Sequence, residues 1–94
     1  MAKSDRSPSR EDAETLAINA LRFLADDPAR LGRFVALTGI GPAELKATAS
    51  QPHLLAAVLD HLMRDESLLL VFAADNRIPP ERITQAHRHL AGDT

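Results

Sequence analysis

Four histidines, a turn of two glycines and the complete absence of cysteine define what chemistry this 94-residue chain could carry. Without cysteine there are no disulfides, no thiolate nucleophile and no Cys-held zinc or iron–sulfur centre. His87 and His89 are two positions apart, so on a helix they point to nearly opposite sides and cannot clamp one metal ion. His61 and Asp65 are four apart and can share a face. Asp65, however, stands with Glu66 at the start of the helix whose apolar run begins at Leu68, where its carboxylate serves as a cap, and no third ligand accompanies the pair. Thr38, Ser50, Ser67 and the Asp60/His61 pair supply nucleophile and base types but lack a frame such as G-x-S-x-G to make them converge. Neither a G-x-x-x-x-G-K loop nor a dinucleotide fingerprint occurs. The expectation is a non-enzyme with no metal and no cofactor.

The sharpest local pattern is Leu37-Thr38-Gly39-Ile40-Gly41-Pro42. Glycine turns and helix N-termini present backbone N–H groups to anions. The run resembles the hairpin of the helix-hairpin-helix DNA-binding family. That resemblance implies a phosphate cradle made by the N–H groups of Gly39 and Gly41, with Lys46 as a nearby cation, and hence weak, sequence-independent nucleic-acid binding. The chain departs from that family's pattern at Leu45, where a small residue is wanted, and at Thr48, where an apolar one is. A purely structural reading stands beside it: Gly39 as a left-handed helix stop and Pro42 as a first helical residue.

The elements that must hold these residues are legible from periodicity and caps. Ser9 with Asp12 reads as a helix start, and Ala13, Leu16, Ala17, Ala20, Leu21 and Leu24 form its apolar stripe. Phe23 widens the stripe, while Ile18 falls on the polar side near Arg22 as an exposed apolar candidate. Asp27 and Pro28 open a second helix carrying Leu31, Phe34, Val35 and Leu37, which Gly39 ends. Pro42 opens a short third helix anchored by Leu45. Gln51 and Pro52 start a fourth, with Leu54, Leu55, Val58, Leu59, Leu62 and Met63 on its broad apolar face and Asp60 paired to Arg64 opposite. Asp65 and Glu66 begin a fifth helix, apolar all the way round from Leu68 to Ala73, which Asn76 stops. Pro79 and Pro80 open the sixth, with Ile83, Ala86 and Leu90 at helical spacing and Gly92 after its end. Met1 to Pro8 has no apolar periodicity and reads as a disordered tail ahead of one helical domain spanning residues 9–94.

Composition agrees with an ordinary globular domain: 45% of residues are hydrophobic and 26% charged, which excludes a wholly disordered chain. The formal charge of −2 supplies no global field to draw nucleic acid or anionic lipid. The longest apolar run, Leu68 to Ala74, is too short to span a bilayer, and the polar start lacks a secretory signal, so a cytoplasmic protein is expected. Three Phe and no Trp or Tyr leave the core aliphatic.

An offset of 38 residues brings Leu16 onto Leu54, Leu21 onto Leu59, Leu24 onto Leu62, Asp27 onto Asp65, Leu31 onto Leu69, Phe34 onto Phe72, Ile40 onto Ile78 and Pro42 onto Pro80. The matching caps and turns point to an internal duplication. The chain is therefore expected to be an all-α compact bundle of about six helices, made of two pseudo-symmetric three-helix repeats. The copies differ where Arg30, Gly32 and Arg33 become Leu68, Leu70 and Val71. Either the fifth helix is enclosed at the centre of the bundle, or another chain covers its extra apolar face. On the second reading Leu68, Leu70 and Val71, joined by Ile18, form a contact surface for an unknown protein partner or a second copy.

Over the run from Ala20 to Phe34, with Leu37-Thr38-Gly39 and Val58-Leu59-Asp60, the chain resembles a family of small all-helical bacterial proteins classed as a domain of unknown function. The resemblance spans roughly Ala13 to Leu90 and implies no reaction, ligand or site residue. The function expected is that of a small helical interaction or accessory protein, with nucleic-acid binding at the Gly39 turn as the alternative.

Overall fold

The computed structural model describes residues 9–92, so the disordered tail expected over residues 1–8 lies outside the described residues. Six helices follow one another: α1 (Arg10–Ala25), α2 (Pro28–Thr38), α3 (Pro42–Thr48), α4 (Pro52–Met63), α5 (Glu66–Asn76) and α6 (Pro80–Leu90). The fold is all-α, with no strand among the described residues.

Local chemistry accounts for each boundary. The Ser9 hydroxyl accepts from the Asp12 amide at 3.0 Å, and the Asp12 carboxylate accepts from the Ser9 amide at 3.2 Å, so two free donors of α1 are satisfied reciprocally. Asp27 caps α2 by accepting from the Ala29 amide at 2.9 Å, and Asp65 caps α5 by accepting from the Leu68 amide at 3.2 Å. Pro28, Pro42, Pro52 and Pro80 each open a helix, at a position where a missing N–H costs nothing. Gly39 ends α2 in the left-handed region at φ 78°, and Arg77 ends α5 there at φ 56°.

The heart of the bundle is α1, α4 and α6, which pack on one another in all three pairings. Ala13, Ala17, Ala20 and Leu24 of α1 meet Leu54, Leu55, Val58, Leu59 and Leu62 of α4 and Ile83, Ala86 and Leu90 of α6 in one cluster. The small residues of α1 let the backbones approach closely. α2 lies against α1, and α5 against α4 and α6. Each of these flanking helices drives one Phe into the core: Phe34 and Phe72 are both fully buried. The Arg10 guanidinium donates to the His89 carbonyl at 2.9 Å, tying the first turn of α1 to the last turn of α6.

Several helix ends fall 38 positions apart. α1 and α4 end at Ala25 and Met63, α2 and α5 at Thr38 and Asn76, and α3 and α6 begin at Pro42 and Pro80. Phe72 packs against Phe23, with ring centroids 5.3 Å apart, and Phe34 packs edge-on against His61 at 5.2 Å. Because His61 stands 38 positions after Phe23, the two aromatic contacts occupy equivalent positions, and each crosses from one half of the chain to the other. The Phe carbonyls also accept in the same way, from Thr38 Oγ1 at 2.7 Å and from Asn76 Nδ2 at 3.1 Å. The third helices break the pattern. α6 is a core helix, whereas α3 touches the rest of the bundle sparingly and buries Leu45 alone.

Two expectations need correction. α5 is not enclosed at the centre: only Phe72 and Ala73 are buried, while Leu70 and Val71 are 48% and 44% exposed. Its apolar residues surround the helix, so periodicity could not select an inner face, and tertiary packing places α5 on the flank. Leu37, expected among the core residues of α2, is 67% exposed, because the chain turns at Gly39 before any element covers that end of the helix.

Candidate functional site

Two features stand out from the solvated surface, and the first is the outer face of α5. Ser67, Leu70, Val71 and Ala74 are all exposed, and their i, i+3, i+4, i+7 spacing sets them on one stripe. Phe72 fixes the orientation, since its burial on one side of the helix puts Leu70 on the other. The stripe is about 10 Å long at 1.5 Å per residue. Glu66 and Asp75 are exposed at its two ends, and α5 contains no basic residue.

The other proposed contact residues fall differently. Leu68 is half-buried and packs on the core. The residue 38 positions before it, Arg30, lays its guanidinium 4.1 Å from the centre of the Phe23 ring, so both positions cover the underlying bundle. Ile18 is 38% exposed but lines neither of the two grooves where α1 meets α5. Its neighbours along the same face of α1, Thr15 and Arg22, each line one of them.

The glycine turn is engaged by its own fold. The Gly39 amide donates to the Val35 carbonyl at 2.8 Å, closing α2, and the Ile40 amide donates to Thr38 Oγ1 at 3.2 Å. Gly41 caps α3 in extended conformation, φ −79°, and Lys46 lies exposed on that seven-residue helix. A phosphate cradle at this turn would have to take the Gly39 N–H away from its helix.

The second feature is a groove of about 650 Å³ between α2, the end of α4 and the start of α5, lined by Arg33, Leu37, Asp60, His61, Arg64 and Ser67 among others. At its wall His61 is only 6% exposed, and its Nε2 has no hydrogen-bond partner. Burial holds its imidazole below the usual histidine value. The carboxylate of Asp65 works against that shift, Arg33 reinforces it, and Asp60 opposes it. The neighbouring charges are otherwise engaged: Arg64 Nε donates to Asp60 Oδ2 at 2.8 Å, and Asp65 caps α5. Among the described residues no three His, Asp or Glu side chains gather as metal ligands would. Nothing in the local spacing of His61 marks it as buried; the residue 38 positions before it, Phe23, is also a core residue.

No helix among the described residues is long and apolar enough to cross a membrane. A family model described as a protein of unknown function, DUF3572, matches residues 10–93. No curated protein and no solved structure matches the chain.

Proposed function

The chain belongs to the DUF3572 family, and from that premise we propose that it is a small, non-catalytic helical protein that docks on another protein through the outer face of α5. The exposure of Leu70 and Val71 on one stripe carries the reading: two large apolar side chains face water where the equivalent positions of the first half are Gly32 and Arg33. The acidic ends, Glu66 and Asp75, favour a partner presenting an amphipathic helix with basic flanks. A second copy is the competing occupant, since antiparallel pairing of two α5 helices would set Glu66 of one against Asp75 and the adjoining Arg77 of the other. The stripe is short, so the contact belongs with weak, reversible encounters rather than obligate interfaces. The reading places the chain in the cytoplasm, which the absence of cysteine suits. Repetition of caps, aromatic contacts and helix ends at 38 residues supports a duplicated origin, with the second copy diverged for docking.

The test is an NMR titration of the labelled chain with a synthetic amphipathic peptide of leucine and lysine. Amide shifts are expected at Ser67, Leu70, Val71 and Ala74. They should be lost in Leu70→Glu and be weaker with a glutamate-flanked peptide of the same apolar pattern. Shifts that ignore Leu70→Glu would refute the site. Concentration-dependent shifts without peptide would favour a homodimer, and salt-sensitive shifts of Gly39, Gly41 and Lys46 with a short duplex would favour the nucleic-acid alternative.

A further inference from the structure

A core position that holds a phenyl ring in one half of the chain holds an imidazole in the other. Phe23 contacts Phe72, and His61 contacts Phe34, at nearly equal distances of 5.3 and 5.2 Å. The exchange puts a titratable group at the one point where α2 sinks a side chain fully into the bundle, for Phe34 is the sole buried residue of that helix. We propose that His61 is a pH-sensitive latch, holding α2 on α4 through Phe34 while neutral and releasing α2 when protonated.

Three observations support the latch. His61 Nε2 is sealed without a partner, so a proton added there would bury a charge with nothing to hydrogen-bond it. The charged groups around it come from three helices: Arg33 from α2, Asp60 and Arg64 from α4, and Asp65 and Glu66 from the start of α5. Asp60 and Asp65, the carboxylates that would favour an imidazolium, are engaged by Arg64 Nε and the Leu68 amide, while Arg33 opposes a second positive charge. Finally, Phe34 is the only side chain that α2 sinks fully into the bundle, the rest of its hold being half-buried contacts and Arg30 over Phe23 of α1. Leu31 and Val35 of α2 are half-buried, and its Leu37 faces water.

The direction of the effect follows from linkage. In the closed state burial lowers the affinity of His61 for a proton below the ordinary histidine value of 6.5, and detaching α2 removes part of that burial and raises the affinity back towards it. Opening is therefore independent of pH well above 6.5. It rises as pH falls below that value, by up to about tenfold per pH unit, until His61 protonates in the closed state as well. Release uncovers Phe34 and the adjoining face of α4.

Amide hydrogen exchange on the full chain, corrected for the intrinsic rate, tests this at pH 7.5 and 5.5, together with an NMR titration of the His61 ring. The expected results are a His61 midpoint below 6.5 and up to about tenfold more opening of α2 at the lower pH, with α6 unchanged. His61→Phe, which copies the Phe23 arrangement, should abolish the pH dependence. The latch is overturned if His61 titrates at the ordinary value, if α2 and α6 loosen together, or if His61→Phe keeps the wild-type response. Should His61→Phe not fold, the wild-type titration and the contrast between α2 and α6 decide alone.

Discussion

Replacing Phe34 by alanine isolates the attachment of α2. The ring is fully buried and packed edge-on against His61, so its removal forfeits the transfer free energy of a whole aromatic side chain and leaves a cavity. Such truncations cost about 3–5 kcal/mol, with about 0.5–1.5 kcal/mol residing in the aromatic contact itself. In a domain of this size each kcal/mol lowers the melting temperature by roughly 4–8 °C, so Phe34→Ala should melt roughly 12–40 °C below the parent. Phe72→Ala, at the equivalent position against Phe23, should cost a similar amount. Leu37→Ala, three residues further along α2 but 67% exposed, should change stability by no more than about 0.5 kcal/mol. Urea unfolding followed by far-UV circular dichroism measures all three. If Phe34→Ala proved as mild as Leu37→Ala, the assignment of Phe34 as the anchor of α2 would be wrong, and the latch at His61 would fall with it.

Backbone conformation separates the two glycines of the turn. Gly39→Ala should destabilise by about 1 kcal/mol, because φ is 78° and an L side chain is strained there. Gly41→Ala should stay within about 0.5 kcal/mol, since its φ of −79° suits alanine and no atom lies within 4 Å of the added Cβ. Equal costs in urea unfolding would contradict that assignment. Asp65→Ala removes the cap of α5 and should cost about 1 kcal/mol by the same assay, while Asp65→Asn should recover most of it, showing that the hydrogen bond rather than the charge matters.

The reach of the sequence was set by the range of the interactions it encodes. Ser9, Asp27, Gly39, Asp65 and the prolines act within a few residues of themselves, so every helix boundary they control was readable before any tertiary contact was known. Asp60 and Arg64 pair at i,i+4 as expected, for the same reason. The position of α5 was not readable, because an apolar surface on every side leaves no periodic signal to choose between Phe72 inward and Leu70 inward. Leu37 misled in the opposite sense: it has the spacing of a core residue but lies past the last element able to cover it. Of the candidate surface, Leu70, Val71 and Ile18 are exposed, while Leu68 is half-buried against the core. The burial of His61 depended on Phe34 arriving from another helix, which residue types alone could not reveal.

The placement of α6 against both α1 and α4 also bears on the order of events during synthesis. The apolar stripe of α1 is complete at Ala25, yet the helix that closes over it does not begin until Pro80, 55 residues later. At roughly 5–20 residues per second, that stripe waits about 3–11 s on the nascent chain before its cover is even made. Earlier helices can shield it only in part. The emerging polypeptide thus carries an unfinished hydrophobic surface until α6 leaves the ribosome, and a chain halted before α6 would be a natural client for chaperones or proteases.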